Sequence, residues 1–340
     1  MTGSRGRLVA ACLIGSAALV SAAKVCDFEC TTHASLNAPT LDNEFCANAW
    51  APEPTGFQCL AVAKDGASFQ ADWHWTGGAP FAVHSFPHVN LRSARLPVKL
   101  DDIKTADMAV EWGMGPNATF PKGDTLGADE AALVATKAMA TIAYDLWIDE
   151  DPDVASSASK AAYEIMIWLG KYGDAQPIAS SYPSVPSGTL EVDGQGFTLY
   201  VGKNAVGQTV CSWVLDKGAT KFKMDIVPLI TELTKKKLIP AKAYLGGIHF
   251  GVEAFYASET IAFVAKDYTA VINDKNSTTT SSTASSTGTQ TSKPTVVWSP
   301  VPTGPNGAPS AASPGVHSLS ILHLCGSLIL GWVAISAFSL

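Results

Sequence analysis

Tyr163-Glu164-Ile165-Met166-Ile167-Trp168-Leu169-Gly170-Lys171-Tyr172-Gly173-Asp174 is an apolar run with one carboxylate set into it. Read at period two, Tyr163, Ile165, Ile167 and Leu169 fall on one side of a strand, and Glu164, Met166 and Trp168 on the other. The β-branched and aromatic content, Gly170 and the turn-rich stretch beyond it favour a strand over a helix. Burying a carboxylate without a partner is costly. Glu164 is therefore expected to be paired or to line a wet cleft whose chemistry needs it.

Outward from this segment the chain reads as short strands separated by Gly, Pro, Asn and Asp. They are expected at 69–75, 82–86, 108–113, 139–148, 197–201, 209–215, 244–255 and 261–272, with 163–169 among them. One helix is expected over 225–237, where Ile226, Leu229, Ile230 and Leu233 recur at helical intervals, Pro228 fits the first turn and Pro240 follows the end. The spacing suits an all-β sandwich or jelly roll, with a single helix packed against two sheets. No Gly-rich phosphate loop or long internal repeat interrupts it.

The two ends read differently from this core. Arg5 and Arg7, an apolar stretch from Leu8 to Val20 and the small residues Ser21, Ala22 and Ala23 have the layout of a secretory signal peptide, residues 1–23, with the mature chain starting near Lys24. A second apolar segment, residues 318–340, carries no Lys, Arg, Asp or Glu and follows small-residue runs at 306–308 and 310–312, the arrangement of a GPI-attachment signal. Residues 276–317 between core and tail are rich in Ser, Thr and Pro. They are expected to form an extended O-glycosylated stalk bearing the attachment site. Sequons at Asn117 and Asn276 fit the same export route.

One domain is expected at 24–275. A formal net charge of -7 and a sequence pI near 5.5 argue against nucleic acid as a partner, and a monomer tied to membrane only by its lipid is expected. Of the seven cysteines, Cys26, Cys30, Cys46 and Cys59 are expected to form disulfides in an oxidising compartment, with three pairings open, and Cys211 to be a buried free thiol. His74, His84, His88 and His249 are too scattered in sequence to argue for a metal, and no cofactor is implied.

Two further strand segments carry acids. Asp145 shares a face with Ala143 and Trp147; Glu253 shares one with His249, Gly251 and Phe255, so the absent side chain at Gly251 leaves a gap that suits a sugar ring. Paired carboxyls flanking a glycosidic bond are what glycoside hydrolysis requires, and flat indoles stack on pyranose faces. Trp50, Trp73, Trp75, Trp112, Trp147, Trp168 and Trp213 supply the indoles, several of them expected at the cleft.

The strings Ala71-Asp72-Trp73-His74-Trp75-Thr76-Gly77-Gly78, Val83-His84-Ser85-Phe86, Ala143-Tyr144-Asp145-Leu146, Tyr163 to Asp174 with Pro177-Ile178, Phe197-Thr198-Leu199-Tyr200 and Gly251-Val252-Glu253-Ala254-Phe255 resemble, in order, the motifs of glycoside hydrolase family 12. The resemblance spans about residues 26 to 272. It implies a jelly roll acting as a retaining endo-β-1,4-glucanase or xyloglucanase on β-1,4-glucan or xyloglucan. On it, Glu164 matches the nucleophile, Glu253 the acid/base and Asp145 the aspartate that tunes the nucleophile. Asn48, Trp50, Trp75, Met166, Trp168 and Phe255 match substrate-binding positions. The family's Gly-Thr-Glu-Pro-Phe stands here as Gly-Val-Glu-Ala-Phe, without the hydroxyl and the proline, and its N-terminal bridge needs one cysteine to join Cys59 where this chain offers several. A non-catalytic β-glucan-binding surface protein, a surface adhesin or elicitor, and a transglycosylase on the same scaffold are the competing readings.

Overall fold

Period-two patterning with one face apolar folds into layers, because a sheet must bury that face against another. A computed structural model describes residues 43–51, 55–63, 65–78, 81–120 and 126–275, together with the backbone of two short strands near the N-terminus. Residues 1–22 of the expected 1–23 signal peptide, the stalk and the apolar C-terminus lie outside the described residues. In chain order the strands are β1 Ala23–Val25, β2 Cys30–Thr31, β3 Glu44–Cys46, β4 Phe57–Val62, β5 Ser68–His74, β6 His88–Asn90, β7 Val98–Lys99 and β8 Ile103–Pro116. They continue with β9 Met139–Asp149, β10 Tyr163–Tyr172, β11 Gly188–Val192, β12 Gln195–Lys203, β13 Thr209–Leu215, β14 Lys221–Asp225, β15 Tyr244–Tyr256 and β16 Ile261–Asp274.

Two sheets result. A 6-stranded sheet runs β1-β4-β5-β16-β8-β14, and a 10-stranded sheet runs β11-β12-β13-β10-β9-β15-β6-β3-β2 with β7 paired to β15. The pairings are antiparallel except β10 with β13. This is the expected jelly-roll sandwich.

The alternation read from residues 163–169 divides as expected. Ile165, Ile167 and Leu169 enter the main core with Ile142, Tyr144 and Leu146 of β9 and Phe250 and Val252 of β15, facing Trp73, Trp112 and Phe263 of the other sheet. Met166 and Trp168 belong instead to a separate cluster on the opposite face, with Ala143, Val210 and a partly buried Ile178. Gly170 lets the sheets approach at one end: a Cβ there would lie 2.8 Å from the Trp112 ring, whose indole N–H donates to the Ala219 carbonyl at 2.8 Å.

The expected helix forms as α3, Val227–Lys235, after two short helices, α1 Glu130–Ala135 and α2 Pro152–Ala155. Leu229, Ile230 and Leu233 are its buried stripe. Asp129 and Asp151 cap α1 and α2 by accepting from the N–H groups of Ala132 and Asp153.

Two expectations change, and that for Cys211 holds. Residues 82–86 form no strand; only Ser85 bridges, to Ala254, and the next N–H in register, that of Phe86, is spent on the Asn48 carbonyl of the loop after β3. Asn117 of the first sequon is buried, at 7% exposure. Cys30 stands directly opposite Cys46 across β2 and β3, and Cys211 is, as expected, a buried free thiol.

Since Ile167 is fully buried in the main core, Ile167→Ala is expected to cost about 2–5 kcal/mol. Chemical denaturation checks this: the midpoint falls at unchanged slope, and a loss under about 1 kcal/mol would show that this face is not the core.

Candidate active site

Directly paired residues in a sheet point to the same side, so register alone maps the face away from the core. One row across it reads Tyr200, Ser212, Met166, Asp145, His249, Asn90 and Glu44, each opposite the next on β12, β13, β10, β9, β15, β6 and β3. A second row, Trp168, Ala143, Gly251 and His88, lies to one side of it. On the other side lie Val210, Glu164, Trp147 and Gly247. Glu253 pairs with Thr141 beyond the second row.

Glu164 and Glu253 therefore sit at opposite ends of a diagonal that passes over Asp145. The acids are near enough to feel one another's charge. Glu164 is 7% exposed, and burial together with the charge of Glu253 pushes its carboxyl up to about 8. Asp145, 3% exposed, is raised well above the usual range by burial and then by Glu164 and Glu253. Burial raises Glu253 too, opposed by the Thr141 hydroxyl, which donates to its Oε2 at 2.6 Å. Like charges this close cannot all ionise at neutral pH, so the cluster retains protons where an exposed set would have none. An acid that holds its proton facing a carboxylate across an open face is the requirement for proton donation coupled to nucleophilic or base chemistry.

The departures around Glu253 are explained by the surrounding strands. Val252 points into the core, fully buried, so a hydroxyl at that position would face away from the Glu253 carboxyl; Thr141 on β9 supplies one instead. Ala254 keeps the N–H that proline lacks and donates it to the Ser85 carbonyl at 2.9 Å, tying the strand to the loop before β6.

The remaining expected residues divide. Met166, Trp168 and Phe255 are on or beside the acid-bearing face, at 3%, 2% and 6% exposure, with Ile178 packed over the Met166–Trp168 cluster. Asn48, at φ 44, and Trp50, 40% exposed, lie on the loop after β3, which is tied to the 84–86 segment by backbone hydrogen bonds. The structure does not bring Trp75 to the face. Its ring is fully buried, donates from Nε1 to Ser85 Oγ at 3.0 Å and packs on His84. Nor is the space beside Glu253 left for a sugar: a Cβ on Gly251 would lie 2.3 Å from the Pro87 carbonyl oxygen and 2.7 Å from His88 Cβ, so the glycine admits the start of β6.

Sequence reasoning passed over Thr141, and set aside His88 and His249 as scattered. The rings of these histidines stack at 4.3 Å and 12°. Strand pairing, not sequence distance, brings them together, and the only signal was the alternation that put His249 on the face of Glu253. Among the described residues no group of three or more His, Cys, Asp or Glu is arranged to hold a metal.

The profile of Glycosyl hydrolase family 12 matches residues 130–273. A protein named inactive glycoside hydrolase XLP1, from Phytophthora nicotianae, is 30% identical over 64% of this chain and 81% of its own. From the same organism, xyloglucan-specific endo-beta-1,4-glucanase 1 is 30% identical over 64% of this chain and 80% of its own. Endoglucanase 3 of Trichoderma harzianum superposes with a TM-score of 0.57 at 26% identity, covering 74% of this chain and 98% of that one. The matched profile, relatives at 30% identity covered over about four-fifths of their length, and the shared jelly roll show that this chain belongs to glycosyl hydrolase family 12 and is a glycoside hydrolase.

Proposed function

We propose that this chain is a retaining endo-β-1,4-glucanase of the xyloglucanase type, held at the cell surface. The observation that carries the reading is the diagonal of Glu164, Asp145 and Glu253 on one face of the 10-stranded sheet, each raised by burial, with the charge of Glu253 raising Glu164 and both glutamates raising Asp145. Glu164 attacks the anomeric carbon while Glu253 protonates the departing glycosidic oxygen; Glu253 then deprotonates the water that releases the sugar from Glu164. Asp145, the most buried of the three, is raised well above the usual range and keeps its proton, so it adds no negative charge beside the nucleophile. Thr141 fixes one oxygen of Glu253 and leaves Oε1 for the transferable proton. The preference for β-1,4-glucan and xyloglucan follows the relatives' names, the floor of Met166 and Trp168, and the exposed Trp50 on the loop beside it. An inactive relative favours one rival, a glucan-binding protein without turnover. All three carboxyl groups retained on one face favour hydrolysis in this chain.

Secretion and a lipid anchor remain part of the proposal, supported by the apolar ends, the stalk and the half-cystine state of Cys46 and Cys59. Treating intact cells with a phosphatidylinositol-specific phospholipase is expected to release active protein. A native C-terminal peptide still ending at Leu340 by mass spectrometry would refute the anchor.

Stereochemistry tests the mechanism. NMR of early products from a β-glucan is expected to show the β-anomer, and Glu253→Ala is expected to retain first-step activity on an activated aryl glycoside, with azide trapped as a β-glycosyl azide. An initial α-anomer would contradict retention.

The charge cluster also sets a pH dependence. A carboxyl raised in the folded state opposes folding once the unfolded state ionises; its penalty grows as pH rises from the ordinary value of 4.5 toward the folded value of about 8 for Glu164. Glu164→Gln is therefore expected to unfold at the wild-type temperature near pH 4 and to be more stable above neutrality, by on the order of 1–3 kcal/mol. Equal stability at both pH values would place Glu164 in an unstrained environment.

A further inference from the structure

We propose that His249 is a specificity-determining residue of the glucan site: a neutral imidazole whose tautomer is locked so that Nε2–H donates to a sugar hydroxyl oxygen. The argument starts from the donor–acceptor inventory. An indole N–H only donates, and Trp147 Nε1 lies 3.2 Å from His249 Nδ1, so Nδ1 is the acceptor and the single proton of the neutral ring is on Nε2.

Neutrality is enforced by the neighbours as well. Burial, then His88 and Arg92, hold the proton affinity of His249 well below the ordinary value. The orientation is fixed by a stack of three rings: Phe86 on His88 at 4.9 Å and 23°, and His88 on His249 at 4.3 Å and 12°. Trp147 meets the imidazole edge-on at 5.9 Å, lying over Gly247, where a Cβ would come within 3.0 Å of its Cδ1.

The Nε2 edge is the part left over. Among the described residues no protein group bonds it, and it is not one of the closed-off polar atoms, whereas the Oδ1 of Asp145, its neighbour across β9, is both buried and unpaired. His249 is half-buried, as a residue lining an open face should be. Its row continues into Asn90, whose amide reaches Glu44 at 3.4 Å, with Arg92 bound to the same carboxylate at 2.7 Å. A glucan chain lying across the strands thus meets a fixed donor directly beside Asp145, then a polar track toward β3. The sugar-facing role rests on the hydrolase reading of this face.

Two substitutions separate donor from ring. His249→Phe keeps a stackable ring and removes the donor; His249→Gln loses the ring but restores an amide donor and an acceptor for Trp147. Each is placed in the Glu164→Gln protein, and cellotetraose binding is measured by calorimetry. His249→Phe is expected to weaken binding about three- to tenfold, the worth of one neutral hydrogen bond, and His249→Gln to recover it to within about twofold. Unchanged binding in His249→Phe, or binding in His249→Gln as weak as in a folded His249→Phe, overturns the proposal. If the phenylalanine form does not fold, the glutamine arm still decides: a loss beyond about threefold refutes the donor. A wild type that binds cellotetraose with this pattern yet never cleaves it would overturn the hydrolase reading and leave this one standing.

Discussion

The structure turns on one constraint: three carboxyl groups are kept close together and largely out of water on one face of a sheet whose other face is hydrophobic core. That arrangement is unfavourable in itself, since burial and mutual repulsion both oppose ionisation. It persists because the same strands that carry the acids carry Ile165, Ile167, Tyr144, Leu146, Phe250 and Val252 on their reverse sides. Period two welds the costly face to the stabilising one, and neither can shift register without the other.

Around that constraint the neighbouring strands supply what the acid-bearing strand lacks. Thr141 provides the hydroxyl that Val252 has no means to provide. The free N–H of Ala254 closes onto Ser85, where a proline would have no hydrogen to give. Gly251 gives up its side chain to admit Pro87 and His88. A motif read along one strand is incomplete, because half of each residue's surroundings arrives from the strand beside it.

This is also why the fold was more legible than the site. Alternation within a single segment, as in residues 163–169, 209–215 or 244–255, marks strands and faces directly, and the helical stripe of Leu229, Ile230 and Leu233 is equally local. Lys221–Asp225 escaped notice because only Phe222 and Met224 are buried in it, too few for a pattern. Trp75 was expected at the cleft on a motif, yet burial and its bond to Ser85 place it in the interior, a distinction that depends on which loop closes over it. The His88–His249 stack joins residues far apart in sequence, and only register makes them neighbours.

The central claim is that Glu164 forms a covalent bond to the sugar. Incubating the protein with an activated 2-deoxy-2-fluoro cellobioside slows release of the intermediate, and peptide mapping then locates the label. The account predicts one added fluoroglycosyl group on the peptide containing Tyr163–Tyr172, attached at Glu164 and absent from Glu164→Gln. Labelling at Glu253 or Asp145, or turnover of the natural glucan with no label at all, would contradict it.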